Sequence, residues 1–107
     1  MALYQGEDIV LRVKGDDIVD FTNNEFWLMY YPKGKNSKSV TVGKNLFRNI
    51  DENVYEYVIP YNKTSDMQGA YNIEILIKDS ETDRRAIYSQ ENAFYVEYSN
   101  IKDEELK

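Results

Sequence analysis

Apolar and polar positions alternate over residues 7–14, with Ile9, Leu11 and Val13 on one face and Asp8, Val10, Arg12 and Lys14 on the other. A period of two predicts a half-buried strand. Gly15-Asp16-Asp17 reads as a turn, and the short apolar segment Ile18, Val19, Phe21 is broken by Thr22-Asn23-Asn24. Residues 25–31 predict a strand of another kind: Phe26, Trp27, Leu28, Met29, Tyr30 and Tyr31 are all apolar or aromatic, so both of its faces are hydrophobic. A polar loop follows over 32–39, then a short β-branched strand around Val40, Thr41 and Val42. Residues 44–53 give no clear period, and Leu46, Phe47 and Ile50 are expected to pack inward from an irregular segment. A strand over 54–59 is closed by Pro60, and 62–68 has room for one helical turn capped by Thr64 or Ser65. Tyr71, Ile73, Ile75 and Ile77 then alternate with Asn72, Glu74, Leu76 and Lys78, the strongest strand signal in the chain. Residues 79–83 form a turn, 85–88 a short strand, and Phe94, Val96 and Tyr98 the inward face of the last strand.

Seven to eight short strands with frequent turns and no amphipathic helix predict an all-β protein. The run 66–73 resembles the corner before strand F of immunoglobulin-like domains, where a Tyr turns its hydroxyl back onto the chain two residues before an inward position. Asp66, Gly69, Tyr71 and Ile73 carry that likeness here. It implies an immunoglobulin-like antiparallel β-sandwich, with Trp27, Tyr71, Ile73 and Val13 in its core. Residues 1–99 are expected to form this single domain, and residues 100–107 a charged, frayed tail.

If Trp27 faces the core, so do Met29 and Tyr31, and Phe26, Leu28 and Tyr30 point outward. Leu76 and Tyr95 are the outward residues of the neighbouring strands. Phe26, Leu28, Tyr30, Leu76 and Tyr95 are therefore expected to share one outer face. An exposed apolar patch of this kind marks an interface, unless a loop of the chain covers it as a second small core.

At 107 residues the chain has the size of one domain. Its formal net charge of −6, from 19 acidic and 13 basic side chains, disfavours contact with phosphate backbones. Nucleic acid is not an expected partner. No apolar run approaches the ~20 residues of a membrane-spanning helix, and the first residues lack the basic start and apolar stretch of a signal peptide. A virion or cytoplasmic location is the resulting expectation. Cysteine and histidine are both absent, which removes thiolate chemistry, the commonest general base and the commonest transition-metal ligand. No cofactor is expected, and no catalytic residue stands out.

The remaining constellations are weak. Asp79, Glu81 and Asp83 alternate like the start of a calcium loop, but Arg84 stands where that loop needs Gly and Gln90 where it needs a bidentate Glu. A solvated hairpin turn is the simpler reading. Asp16, Asp17 and Asp20 read the same way. Paired carboxylates can hydrolyse glycosides, yet nothing singles out one pair among the acids. Asn62-Lys63-Thr64 fits a glycosylation sequon without an export signal.

The order of features is similar to the N-terminal immunoglobulin-like domain of the phage baseplate upper protein family. Gly6-Glu7-Asp8 leads into the first alternating strand, Asp16-Asp17-Ile18-Val19-Asp20-Phe21 makes a polar turn and step, Gly69-Ala70-Tyr71 makes the corner, and Phe94-Tyr95-Val96 closes the domain. Residues 84–92 depart from the family by lacking a glycine hairpin, and family members continue into further regions. The resemblance implies a non-enzymatic virion or prophage component whose partners are proteins, as a homo-oligomer or with other assembly components. The competing expectation is a carbohydrate-binding or cell-surface adhesion module that stacks exposed aromatics on sugar rings.

Overall fold

The computed structural model describes residues 3–34 and 39–97, and the chain is all-β. Among the described residues are eight strands: β1 Leu3–Tyr4, β2 Ile9–Lys14, β3 Glu25–Pro32, β4 Val40–Gly43, β5 Arg48–Asp51, β6 Val54–Ile59, β7 Gly69–Lys78 and β8 Arg85–Glu97. A 3₁₀ turn, Lys44–Leu46, and one short helix, α1 Tyr61–Thr64, complete the described structure. The expected position of Tyr98 and the tail 100–107 lie outside the described residues.

The strands form a five-stranded sheet, β1-β8-β7-β3-β4, and a three-stranded sheet, β2-β6-β5. The larger sheet is mixed rather than purely antiparallel. β1 runs parallel to β8, with Leu3 opposite Val96 and Tyr4 opposite Glu97. Inward residues of both sheets belong to one core cluster: Ile9, Leu11, Val13, Tyr55 and Ile59 from the smaller sheet, and Phe26, Leu28, Tyr30, Val42, Tyr71, Ile77 and Val96 from the larger.

β2 keeps the inward set that its alternation predicts. β3 takes the opposite parity. Phe26, Leu28 and Tyr30 are 0%, 1% and 3% exposed, whereas Trp27, Met29 and Tyr31 are half-buried on the other face. The register supplies the reason: Phe26 lies opposite Ile77, Leu28 opposite Ile75 and Tyr30 opposite Ile73. Directly paired residues project to the same side of a sheet, so the isoleucine row of β7 carries Phe26, Leu28 and Tyr30 into the core with it. Trp27 instead opposes Leu76, the outward residue of β7. A uniformly apolar strand has no period to set its own parity, so its neighbour sets it.

Phe26 is the hub of the aromatic core. Phe21, Phe47 and Tyr55 meet it edge-on, with ring centroids 5.0, 5.1 and 5.5 Å away, the geometry that ring quadrupoles favour. Leu46 is 61% exposed, against the inward expectation, and Phe47 alone of that segment is fully in the core.

The chain turns into β7 at Gly69. Gly69 takes φ +90°, a conformation open to glycine at no steric cost. Burial raises the Tyr71 pKa above its ordinary value, and the Gln68 N–H opposes that shift. Tyr71 is buried and its ring stacks on Phe94 at 5.1 Å with an interplanar angle of 4°. Ile73 packs against the core cluster, of which Val13 is a member.

Candidate interaction face

The outer surface of the five-stranded sheet presents an apolar row across four strands. Gly43 of β4 opposes Trp27 of β3, Trp27 opposes Leu76 of β7, and Leu76 opposes Ile87 of β8. All four positions therefore lie on one line perpendicular to the strands. Trp27 and Leu76 are half-buried, and Ile87 is 67% exposed. Gly43 has no side chain, so the indole edge spreads over β4; its Cδ1 atom lies 3.6 Å from where a Cβ on Gly43 would stand. Trp27 is thus partly sheltered by its own sheet and still presents aromatic surface outward.

The next row is amphipathic. Thr41, Met29, Glu74 and Ser89 are consecutive partners across the same strands. Tyr31, one step further along the same face of β3, donates its hydroxyl to Glu74 Oε1 at 3.2 Å. The face therefore combines two aromatics, three flexible or branched apolar side chains and a positioned carboxylate. Aromatics and Met beside a few fixed polar groups are the composition of interface cores.

Of the five residues that the sequence assigns to this face, Leu76 lies on it. Phe26, Leu28 and Tyr30 do not, being core residues for the register reason given above. Tyr95 is 56% exposed but opposes Ala70, six residues along β7 from Leu76. It lines a separate, open groove of about 460 Å³ with Lys33, Asp66 and Gln68. Trp27, assigned to the core from sequence, belongs to the face. The usable signal was the isoleucine row of β7, which is less ambiguous than the identity of a lone Trp.

The acidic turns do local structural work. Asp16, Asp20 and Asp79 each use Oδ1 to accept two backbone N–H groups, two and three residues ahead. These bonds hold all three carboxyls below the usual Asp pKa, Asn23 contributing most at Asp20 through its side-chain amide. Asp83 pairs with Lys78 at 3.0 Å. Asp79, Glu81 and Asp83 thus sit in a hairpin turn whose acids have backbone or lysine partners or point to solvent. Among the described residues, no group of three acidic side chains is disposed to hold a metal ion. No helix of the described chain is long and apolar enough to cross a membrane.

No family model matches the chain, and neither a curated protein nor a solved structure matches it. The likeness to phage baseplate upper proteins therefore stands on the sequence motifs alone.

Proposed function

We propose that this protein is a non-enzymatic interaction and assembly module that binds a protein partner through the outer face of its five-stranded sheet. The observation that carries this reading is the in-register row Trp27–Leu76–Ile87 on the face turned away from the core. An apolar row on a solvent-facing sheet surface has no role in the fold's own core, and covering it would yield about 25 cal/mol per Å². A phage or prophage tail or baseplate setting is the context that the sequence motifs favour.

The test is a pair of face variants, Leu76→Lys and Trp27→Ser, compared with wild type in affinity capture and melting temperature. A defined partner retained by wild type and lost by both variants at near-unchanged melting temperature supports the reading. Equal capture by all three proteins would sink it.

The exposure of Trp27 favours one second reading, a carbohydrate-binding module. Trp27 and Tyr31 on one face, with the Glu74 carboxylate beside Tyr31, could stack on and hydrogen-bond a sugar. Trp27 is the only tryptophan in the chain, so its emission reports directly on the face. A saturable emission shift on titration with a glycan, in a protein that captures no protein partner, would replace the assembly reading.

A further inference from the structure

We propose that β8 is a self-complementary edge through which two copies of this chain join their five-stranded sheets into one. This names the partner for an assembly role and rests on that reading. Among the described residues, β1 covers β8 only at Val96 and Glu97, which leaves the edge from Arg85 to Gln90 without a neighbouring strand. All six of those side chains are exposed, Ile87 and Tyr88 at 67% and 46%. The stretch holds no proline, no glycine and no lysine. Natural edges usually carry such a device against pairing.

The phase of the ladder identifies which residues face the open side. Asp79 donates its N–H to the Arg84 carbonyl at 2.8 Å, and Ile77–Ala86, Ile75–Tyr88 and Ile73–Gln90 continue in the same register. The even-numbered residues of β8 therefore bond to β7, and Arg85, Ile87 and Ser89 turn their N–H and C=O groups to the open edge. A two-fold axis at Tyr88 sets two copies antiparallel in that same phase. It places Arg85 opposite the second copy's Glu91, twice over, and Ile87 opposite Ser89. Shifting the pairing by one residue would face bonded groups with unbonded ones. Shifting it by two would separate Arg85 from Glu91. The two Tyr88 rings meet at the axis as a non-hydrogen-bonded pair, the close type of cross-strand contact. On the outer face, the Trp27–Leu76–Ile87 row of each copy would then abut the Ser89–Glu74–Met29 row of the other.

The test uses the full chain in light-scattering chromatography and sedimentation across a wide concentration range. Wild type is expected to pass from monomer to dimer. Ser89→Pro removes an N–H that faces the open edge and none that bonds β7, so the variant should keep its melting temperature and remain a monomer. Arg85→Glu and Glu91→Arg should each weaken dimerisation about tenfold or more, and the double swap should return it to within about threefold of wild type. A strict monomer at every concentration would overturn the inference, as would a dimer indifferent to Ser89→Pro or a double swap no better than the singles. None of these outcomes touches the face test, because Leu76 and Trp27 lie on inner strands. Partner capture that depends on Leu76 in a strictly monomeric protein would keep the interaction role and discard the β8 dimer.

Discussion

At the scale of single residues, adjacent aromatics of β3 have opposite duties. Phe26 is 0% exposed within a cage of three edge-on rings, so Phe26→Ala is expected to cost about 3–5 kcal/mol. Trp27→Ala, on the outer face, should cost only about 1–2 kcal/mol, since much of its surface already meets water. Urea unfolding of the two variants measures both; equal losses would place the indole in the core after all. A second demanding residue is Thr64, fully buried at the end of α1. Its hydroxyl accepts the Gly6 N–H at 3.1 Å and donates to the Glu7 carbonyl at 2.7 Å. Thr64 is thus a tie to the N-terminal turn, and Pro60 holds the N-cap position where the sequence suggested Thr64. Thr64→Val keeps the shape and strands two backbone groups, for an expected loss of about 2–4 kcal/mol in the same measurement.

At the scale of elements, the turns impose an acid limit on the fold. Asp16, Asp20 and Asp79 have folded-state pKa values lowered from 3.8, mainly by hydrogen bonds from backbone and side-chain N–H groups. A lowered folded-state pKa contributes stability that is present above the unfolded value and is lost as pH falls through the folded one. The melting temperature should therefore drop below about pH 4, and the drop should be shallower in Asp79→Asn than in wild type. Identical acid slopes would remove Asp79 from this role. Legibility at this scale follows periodicity. β2 and β7 alternate apolar and polar residues, and their inward faces could be read directly from the sequence. The turn into β7 was legible too, because Gly69 ends the polar run before it and Tyr71 opens the alternating strand. β3 was not, because six consecutive apolar residues carry no phase and Trp27 was the wrong anchor for one. β8 was split in two by reading, whereas a register irregularity at residues 91–93, with Asn92 at φ +52°, lets one strand of 13 residues continue past the irregular segment. The junction of Gly15 and Asn53 was equally hidden. The Asn53 side chain accepts the Phe21 N–H at 2.7 Å and donates to the Val19 carbonyl at 2.9 Å. A Cβ on Gly15 would overlap both Asn53 and that carbonyl. Contacts across 32 to 38 residues leave no local pattern to read.

At the scale of the whole molecule, the two sheets meet over a tyrosine cluster that sets an alkaline limit. Tyr30 of the larger sheet lies 3% exposed near Tyr57 of the smaller one, with Tyr71 and Phe94 each 6.5 Å away between ring centroids. Burial, reinforced by the Tyr57 and Tyr71 hydroxyls, pushes the Tyr30 pKa from 10.0 up to about 12. The sign follows from the neutral form being the buried one. The contribution is fully present below pH 10, declines as pH rises, and is lost once pH passes the folded value near 12. Two units correspond to roughly 3 kcal/mol at most, a large share of the stability of a small domain. Tyr30→Phe keeps the ring and removes the ionisation, so its melting temperature should fall less between about pH 9.5 and pH 11.5 than that of wild type. Parallel slopes would mean that water already reaches the hydroxyl. The position of Tyr30 also dictates the form of the transition. A phenolate formed there would stand uncompensated between the sheets, so its ionisation requires the layers to separate. The late step in phenolate absorbance and the loss of aromatic circular dichroism should therefore share one midpoint in wild type, and Tyr30→Phe should shift that midpoint to higher pH.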